Sequence, residues 1–201
     1  MREIELKSVV DDLLSRRRHV EEAGGTLRFE GMMIDQHYTC SPARVGERLR
    51  SRTYRSAAST WVELTWKGPA RSEQGYKVRE ELTTRVEDEA MLRAILERTG
   101  FIPQEHIERE IAWYRFRGAT LRFEQFAHMD TLVEVEGPPE AIEHAIRATG
   151  IPRPHFTAAP LADFIQRFEA RTGRTAVLRG EARTPPHRDE YACLPPTQAA
   201  P

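Results

Sequence analysis

Cysteine is nearly missing from this 201-residue chain: only Cys40 and Cys193 occur. Two cysteines so far apart fit neither a disulfide framework nor a cysteine-based zinc site. Net charge is missing as well. Thirty Lys+Arg stand against 31 Asp+Glu, a formal charge of −1, which removes the basic excess expected of a nucleic-acid binder. No apolar run approaches the ~18–20 residues of a membrane span. The charged stretch opening at Arg2 leaves no room for a signal peptide. A cytoplasmic protein with neither nucleic acid nor membrane as partner is the expectation. Glycine-rich phosphate loops of the GxxxxGK[ST] or GxGxxG kind are absent too. Lysine is scarce: 27 of the 30 bases are arginine, leaving Lys7, Lys67 and Lys77.

What is present is charge in alternation. Residues 2–7 (Arg-Glu-Ile-Glu-Leu-Lys) alternate charged and apolar side chains, a strand pattern. Ser8 is the expected N-cap of a helix carrying Val9, Val10, Leu13, Leu14 and Val20, ended by Gly24-Gly25. An extended stretch over 26–40 follows, then short strands at 48–55, 60–67 and 77–86, separated by turn-forming segments at 56–59 and 68–75. A helix runs from about Asp88 to Gly100, then strands at 107–116, 120–126 and 132–136. Two helical patterns close the sequence, Pro139 to Thr149 and Pro160 to Arg171. Residues 174–201, rich in Arg, Ala and Pro, read as a disordered tail behind a domain spanning 1–173. An α+β fold follows, an antiparallel barrel flanked by helices fitting best and an open sheet on helices being the alternative.

Parity sorts the strand residues into faces. Glu3, Glu5 and Lys7 oppose Ile4 and Leu6; Glu63, Thr65 and Lys67 oppose Val62, Leu64 and Trp66; Arg79, Glu81 and Thr83 oppose Val78 and Leu82. Arg122 and Glu124 oppose Leu121 and Phe123, Glu134 and Glu136 oppose Val133 and Val135, and Arg50 pairs with Arg52. Two arrangements produce this pattern. In the ordinary one the apolar faces point into a core and the charges into water. In the inverted one the apolar faces pack outward against the helices, and the charges line a closed barrel wide enough for side chains or one small ligand. An interior of that kind must hold both signs. The candidates supply them: Glu3, Glu5, Glu81, Glu124, Glu134 and Glu136 against Lys7, Arg50, Arg52, Lys67, Arg79 and Arg109. Clustered carboxylates suit Mg²⁺ or Mn²⁺, and clustered Arg and Lys suit phosphate oxygens, which together describe a site for a metal-bound polyphosphate.

Glu3-Ile-Glu-Leu-Lys7 resembles the ExExK signature of the CYTH superfamily, the triphosphate tunnel metalloenzymes. Leu49-Arg50-Ser51-Arg52, Leu64-Thr65-Trp66-Lys67-Gly68-Pro69, Val78-Arg79-Glu80-Glu81 and Val133-Glu134-Val135-Glu136 resemble its later strands in the same order. The resemblance implies an eight-stranded antiparallel β-barrel, the triphosphate tunnel, with Glu3, Glu5, Glu134 and Glu136 as metal ligands and Mg²⁺ or Mn²⁺ as cofactor. It also implies that Lys7, Arg50, Arg52, Lys67, Arg79 and Arg109 bind triphosphate, and that Glu3, Glu5, Lys7, Glu81 and Glu136 serve catalysis. Its members include triphosphatases acting on inorganic, nucleoside or thiamine triphosphate, and class IV adenylyl cyclases; a non-catalytic polyphosphate or nucleotide sensor is a further alternative. A monomer or homodimer taking a small-molecule triphosphate is expected. The chain departs from the pattern at Ile111, where many relatives carry a base, at Thr83, where Glu is common, and at Glu124, where Asp is common. Arg16-Arg17-Arg18 reads as a solvated helix face, and Trp61, Trp66 and Trp113 as core or wall residues.

Overall fold

The computed structural model describes residues 2–41 and 45–179. Strand β1 (Arg2–Val9) leads into helix α1 (Leu13–Glu22) and the long strand β2 (Thr26–Cys40). Strands β3 (Arg48–Arg55), β4 (Thr60–Lys67), β5 (Arg71–Glu73) and β6 (Tyr76–Val86) follow, then α2 (Glu89–Arg98). Strands β7 (Phe101–Phe116), β8 (Ala119–Phe126) and β9 (Leu132–Glu136) precede α3 (Pro139–Thr149) and α4 (Leu161–Thr172).

The strands run in the order β1-β9-β8-β7-β2-β3-β4-β6, and β6 pairs back onto β1, closing an eight-stranded antiparallel barrel. Closure leaves no free edge among those strands. The short β5 adds to β6 from outside. It falls in the segment expected to be only a turn, and its three residues carry too little alternation to announce a strand.

The inverted arrangement is the one observed. Leu6, Leu121, Phe123, Val133 and Val135 point outward and pack on Ile142, Ala145 and Ile146 of α3 and on Val20 of α1, forming the largest apolar core outside the barrel. Each such side chain, fully buried, stabilises the fold by about 1.5–3 kcal/mol. Helix α3 is well defined for this role: proline occupies its first turn, and Gly150 ends it with φ of 68° in the left-handed region.

Several boundaries differ from the expectation. Ser8 is not an N-cap: it lies buried in β1 opposite Val133. The helix starts after Asp12, whose side chain accepts from the Ser15 N–H at 3.1 Å; continued pairing with β9 holds Ser8 and Val9 extended. Strand β7 begins at Phe101, six residues earlier than expected, because β2 offers a partner along its whole length. The segment expected to be disordered from 174 is ordered at its start: Val177 pairs with His128, and Leu178 packs beside Ile107, Phe126, Leu132 and Phe164. Its remainder, 180–201, lies outside the described residues. No helix among the described residues is long and apolar enough to cross a membrane. Arg16 and Arg17 are not simply solvated; Arg16 holds Asp11 and the Gly150 carbonyl, and Arg17 holds Glu30 and the Tyr114 hydroxyl.

Candidate functional site

Inside the barrel a cavity of about 320 Å³ is lined mainly by charged side chains, contributed by β1, β2, β3, β4, β6, β7, β8 and β9. Alternation on each strand puts these side chains here, since their neighbours are committed to the outer core. Glu5, Lys7, Arg50, Arg52, Lys67, Arg79, Arg109, Glu124 and Glu134 all lie on its wall. Glu3, Glu81 and Glu136 do not line it directly. Glu3 and Glu81 lie against it through Lys67, at 2.7 and 2.5 Å, and Glu136 is the register partner of Glu5.

One side of the cavity is acidic. Strands β1 and β9 pair there, placing Glu3, Glu5, Glu134 and Glu136 on one continuous face. Lys7 bridges Glu5 at 2.9 Å and Glu134, Lys77 reaches Glu5 at 2.5 Å, and Arg79 reaches Glu3 at 2.6 Å. Burial and the Glu134 charge push the Glu5 carboxyl up, yet Lys7 and Lys77 outweigh them and hold it below its ordinary value. Glu136 is the exception. It has no ion pair among the described residues, and burial together with Glu134, Glu3 and Glu5 pushes its pKa up to about 7 against the pull of Arg122. Crowded carboxylates, one of them without a cation of its own, form a hard-oxygen donor set that suits a divalent metal. Among the described residues, however, no three His, Cys, Asp or Glu side chains already stand in metal-holding geometry; lysine and arginine occupy the acids instead.

The opposite side is basic. Arg50 and Arg52 on β3 and Arg109 on β7 converge on Asp35 of β2. Arg52 donates to both Asp35 oxygens at 2.6 and 2.8 Å, Arg109 donates at 2.8 Å, and Arg50 stands at 3.4 Å. Burial raises the Asp35 carboxyl, but Arg109, Arg50 and Arg52 hold it well below the usual range. Buried Arg50 is pushed down by desolvation and by Arg52, with Asp35 as the largest opposing charge. Arg122 and Glu124 join the two sides: Arg122 holds Glu124 at 2.7 Å and also Glu134, while Glu124 accepts from Arg109 at 3.1 Å.

Beyond Arg52 the barrel is plugged. Phe29, Tyr54, Trp61 and Trp113 pack with Met33 and Ile111, with Tyr54 stacked on Trp61 at 4.5 Å and Phe29 edge-on to both. Gly31 lies where β2 passes β3; a Cβ there would meet the Arg55 carbonyl oxygen at 2.4 Å, and its φ of 156° disfavours other residues. This accounts for Ile111, which belongs to the plug. Thr83 hydrogen-bonds Glu81 and Thr65, at 3.0 and 3.1 Å, keeping that place polar. At the other end the first turn of α4 (Leu161, Ala162 and Ile165, after Pro160) borders the cavity. The Lys7 backbone pairs with Thr157 nearby, fixing the preceding segment.

Sequence reasoning missed Asp35, Lys77, Arg122 and His37 as cavity residues. Lys77 lies on the wall with its ammonium drawn in by Glu5. Asp35 carried a signal in parity: Met33, Asp35 and His37 share one face of a long strand, and Asp35 is the only acid on that face, Glu30 lying on the other. His37 borders the cavity with its pKa pushed down to about 4 by burial, outweighing Asp35, so it is neutral at pH 7. Tyr38 and Tyr76 lie outside this cavity, bonded to Ser51 and Glu143.

No protein-family model matches the chain, and no curated protein does. Solved structures match its fold. The PH1819 protein from Pyrococcus horikoshii is 23% identical, with a TM-score of 0.68 over 82% of this chain and 98% of that one. A candidate adenylate cyclase from Vibrio parahaemolyticus is 13% identical, with a TM-score of 0.69 over 82% and 97%. HpAC1 from Hippeastrum, described with a dominant triphosphatase activity, is 16% identical, with a TM-score of 0.56 over 88% and 98%.

Proposed function

We propose that this chain, which has the triphosphate tunnel fold of the CYTH proteins, binds a triphosphate between its acidic and basic walls and hydrolyses it with a divalent metal. The carrying observation is the division of the cavity: clustered carboxylates on β1 and β9, with Glu136 lacking an ion pair among the described residues, and surplus guanidinium on β3 and β7. The dominant triphosphatase activity described for HpAC1 supports this choice.

Substrate entry is an exchange of partners. Lys7, Lys67 and Arg79 now neutralise Glu5, Glu3, Glu81 and Glu134. A triphosphate arriving with its cation offers phosphate oxygens to these bases and positive charge to the acids, so no buried charge is left unpaired. Glu3, Glu5 and Glu136, with Glu134 in support, would hold Mg²⁺ or Mn²⁺. When bound, the cation withdraws charge from the phosphate chain and lowers the pKa of a coordinated water. Opposite, Arg50 and Arg109 would offer phosphate oxygens their unpartnered N–H groups, with Arg52 held against Asp35 beside them. Glu81, pushed up by burial but held down to about 2 by Lys67, is ionised and keeps the Lys67 ammonium in place.

Hydrolysis is favoured over cyclisation by one feature. The wall of this cavity carries no Phe, Tyr or Trp among the described residues, so the one ring that a nucleobase could stack on there is the His37 imidazole. The test is purified protein given inorganic triphosphate, ATP and thiamine triphosphate, each with Mg²⁺ or Mn²⁺, followed for phosphate and cyclic AMP. Phosphate without cyclic AMP is expected. Cyclic AMP with pyrophosphate would establish the cyclase instead, and tight binding without turnover would establish a sensor.

A further inference from the structure

Asp35 is the buried acid on which the arginines of the basic wall converge. It is 1% exposed, with all its bonds going to arginine. A buried carboxylate among residues meant for an anion could act in two ways. It could occupy the anion's place and have to be displaced, or it could hold the arginines in the geometry the anion needs.

The bonding pattern separates these. Asp35 engages Arg52 through Nε and Nη2, Arg109 through Nη2 and Arg50 through Nη1. The Nε of Arg109 is held by Glu124 at 3.1 Å. Two buried donors remain with no partner, Arg50 Nε and Arg109 Nη1, and both residues line the cavity. The guanidinium is planar, so fixing some of its nitrogens fixes the direction of the rest. Buried donors left unsatisfied cost about 1–3 kcal/mol each, and an entering phosphate oxygen would remove that cost. Without Asp35, three buried guanidiniums would face each other with less counter-charge.

We propose that Asp35 is a positioning residue for the triphosphate site: by clasping Arg50, Arg52 and Arg109 it aims Arg50 Nε and Arg109 Nη1 at one phosphate group. This rests on the triphosphate reading and adds a group that never touches substrate. Removing the Asp35 charge makes the wall more positive, so electrostatics alone would tighten anion binding. Loss of positioning would weaken it. The sign decides.

The experiment is calorimetric titration of inorganic triphosphate, in EDTA to prevent turnover, into the wild-type chain and Asp35→Asn, followed by steady-state kinetics with metal. A rise in Kd of about tenfold or more is expected, with KM rising likewise and kcat changing less, the pattern of lost uniform binding. Equal or tighter binding by the variant overturns the positioning role and leaves the triphosphate reading standing. Absence of binding by the wild-type chain with Mg²⁺ or Mn²⁺ present as well as in EDTA overturns both. Wild-type protein labelled with ¹⁵N-arginine provides a check that does not depend on the variant folding. The Arg52 Nε–H should be as rigid as the backbone before any ligand is added; mobility like that of surface arginines would overturn the proposal.

Discussion

The two walls of the cavity are built from the same kinds of side chain and behave in opposite ways. On the β1–β9 side Lys7, Lys67, Lys77, Arg79 and Arg122 pair with Glu3, Glu5, Glu81 and Glu134, but among the described residues none forms an ion pair with Glu136, whose pKa is pushed up to about 7 by burial and by its acidic neighbours. On the β2–β3–β7 side guanidiniums outnumber acids, and Asp35, though buried, is held well below its ordinary value by Arg109, Arg50 and Arg52. Burial pushes both carboxyls upward; the sign of the neighbouring charge decides the outcome. One wall is therefore short of a cation at Glu136, and the other is short of negative charge. A metal-bound triphosphate supplies both.

The strongest way to break this comparison is to remove an acid from the first wall. Glu5→Gln, or Glu3→Gln, should reduce metal-dependent turnover by at least the ~10–100-fold that losing an outer partner of a metal ligand costs, with the circular dichroism spectrum unchanged. Retained turnover in both variants would remove the metal role from β1. On the second wall the largest effect is on stability. Asp35→Ala leaves buried guanidiniums without their carboxylate and should destabilise the fold by about 3–5 kcal/mol, read from urea unfolding; a change under about 1 kcal/mol would show the clasp to be loose.

The plug behind the walls offers an intermediate effect. Ile111→Ala removes a side chain 3% exposed in the aromatic cluster and should cost about 2–5 kcal/mol while leaving KM for triphosphate unchanged. A raised KM would place Ile111 in the binding surface after all.

The smallest effects are in pH dependence, where the walls should differ in sign. Glu136 has its folded pKa raised, so the folded chain binds the proton more tightly than the unfolded chain. Its contribution is full below pH 4.5 and is lost as pH rises through about 7. Asp35 has its folded pKa lowered, so its contribution is present above the ordinary carboxylate range and is lost as pH falls through the folded value. Over the same interval His37, held down to about 4 by burial, contributes the opposite slope, so the Glu136 contribution is read as a difference: between about pH 4.5 and 7 metal-free Glu136→Gln should lose less stability, or gain more, than wild type in thermal melts. An unchanged slope in the variant would mean that Glu136 is not the group responsible.

Much of this division could be read from parity alone. Alternation separated Glu3, Glu5 and Lys7 from Ile4 and Leu6, and helices with apolar stripes required the outward strand faces as partners. What parity does not carry is pairing across strands. Asp35 lies 15 and 17 residues from the arginines it holds on β3, and 74 from Arg109; only the register of β2 between β3 and β7 brings them together. Lys77 escaped for the same reason, being matched to Glu5 by barrel closure 72 residues away. The α1 boundary was missed because pairing with β9 overrode the capping preference of Ser8. Ile111 looked like a defect in a charged pattern until the plug gave it neighbours.

The most direct measurement is electron paramagnetic resonance of Mn²⁺ titrated into the chain with inorganic triphosphate, paired with calorimetric binding of triphosphate in EDTA, for wild type and Glu5→Gln. If the walls divide the work, wild type immobilises Mn²⁺ in the presence of triphosphate. Glu5→Gln should lose the immobilised signal yet still bind triphosphate through the arginine side. Undiminished Mn²⁺ binding by Glu5→Gln, or loss of its triphosphate binding in the absence of metal, would contradict the division.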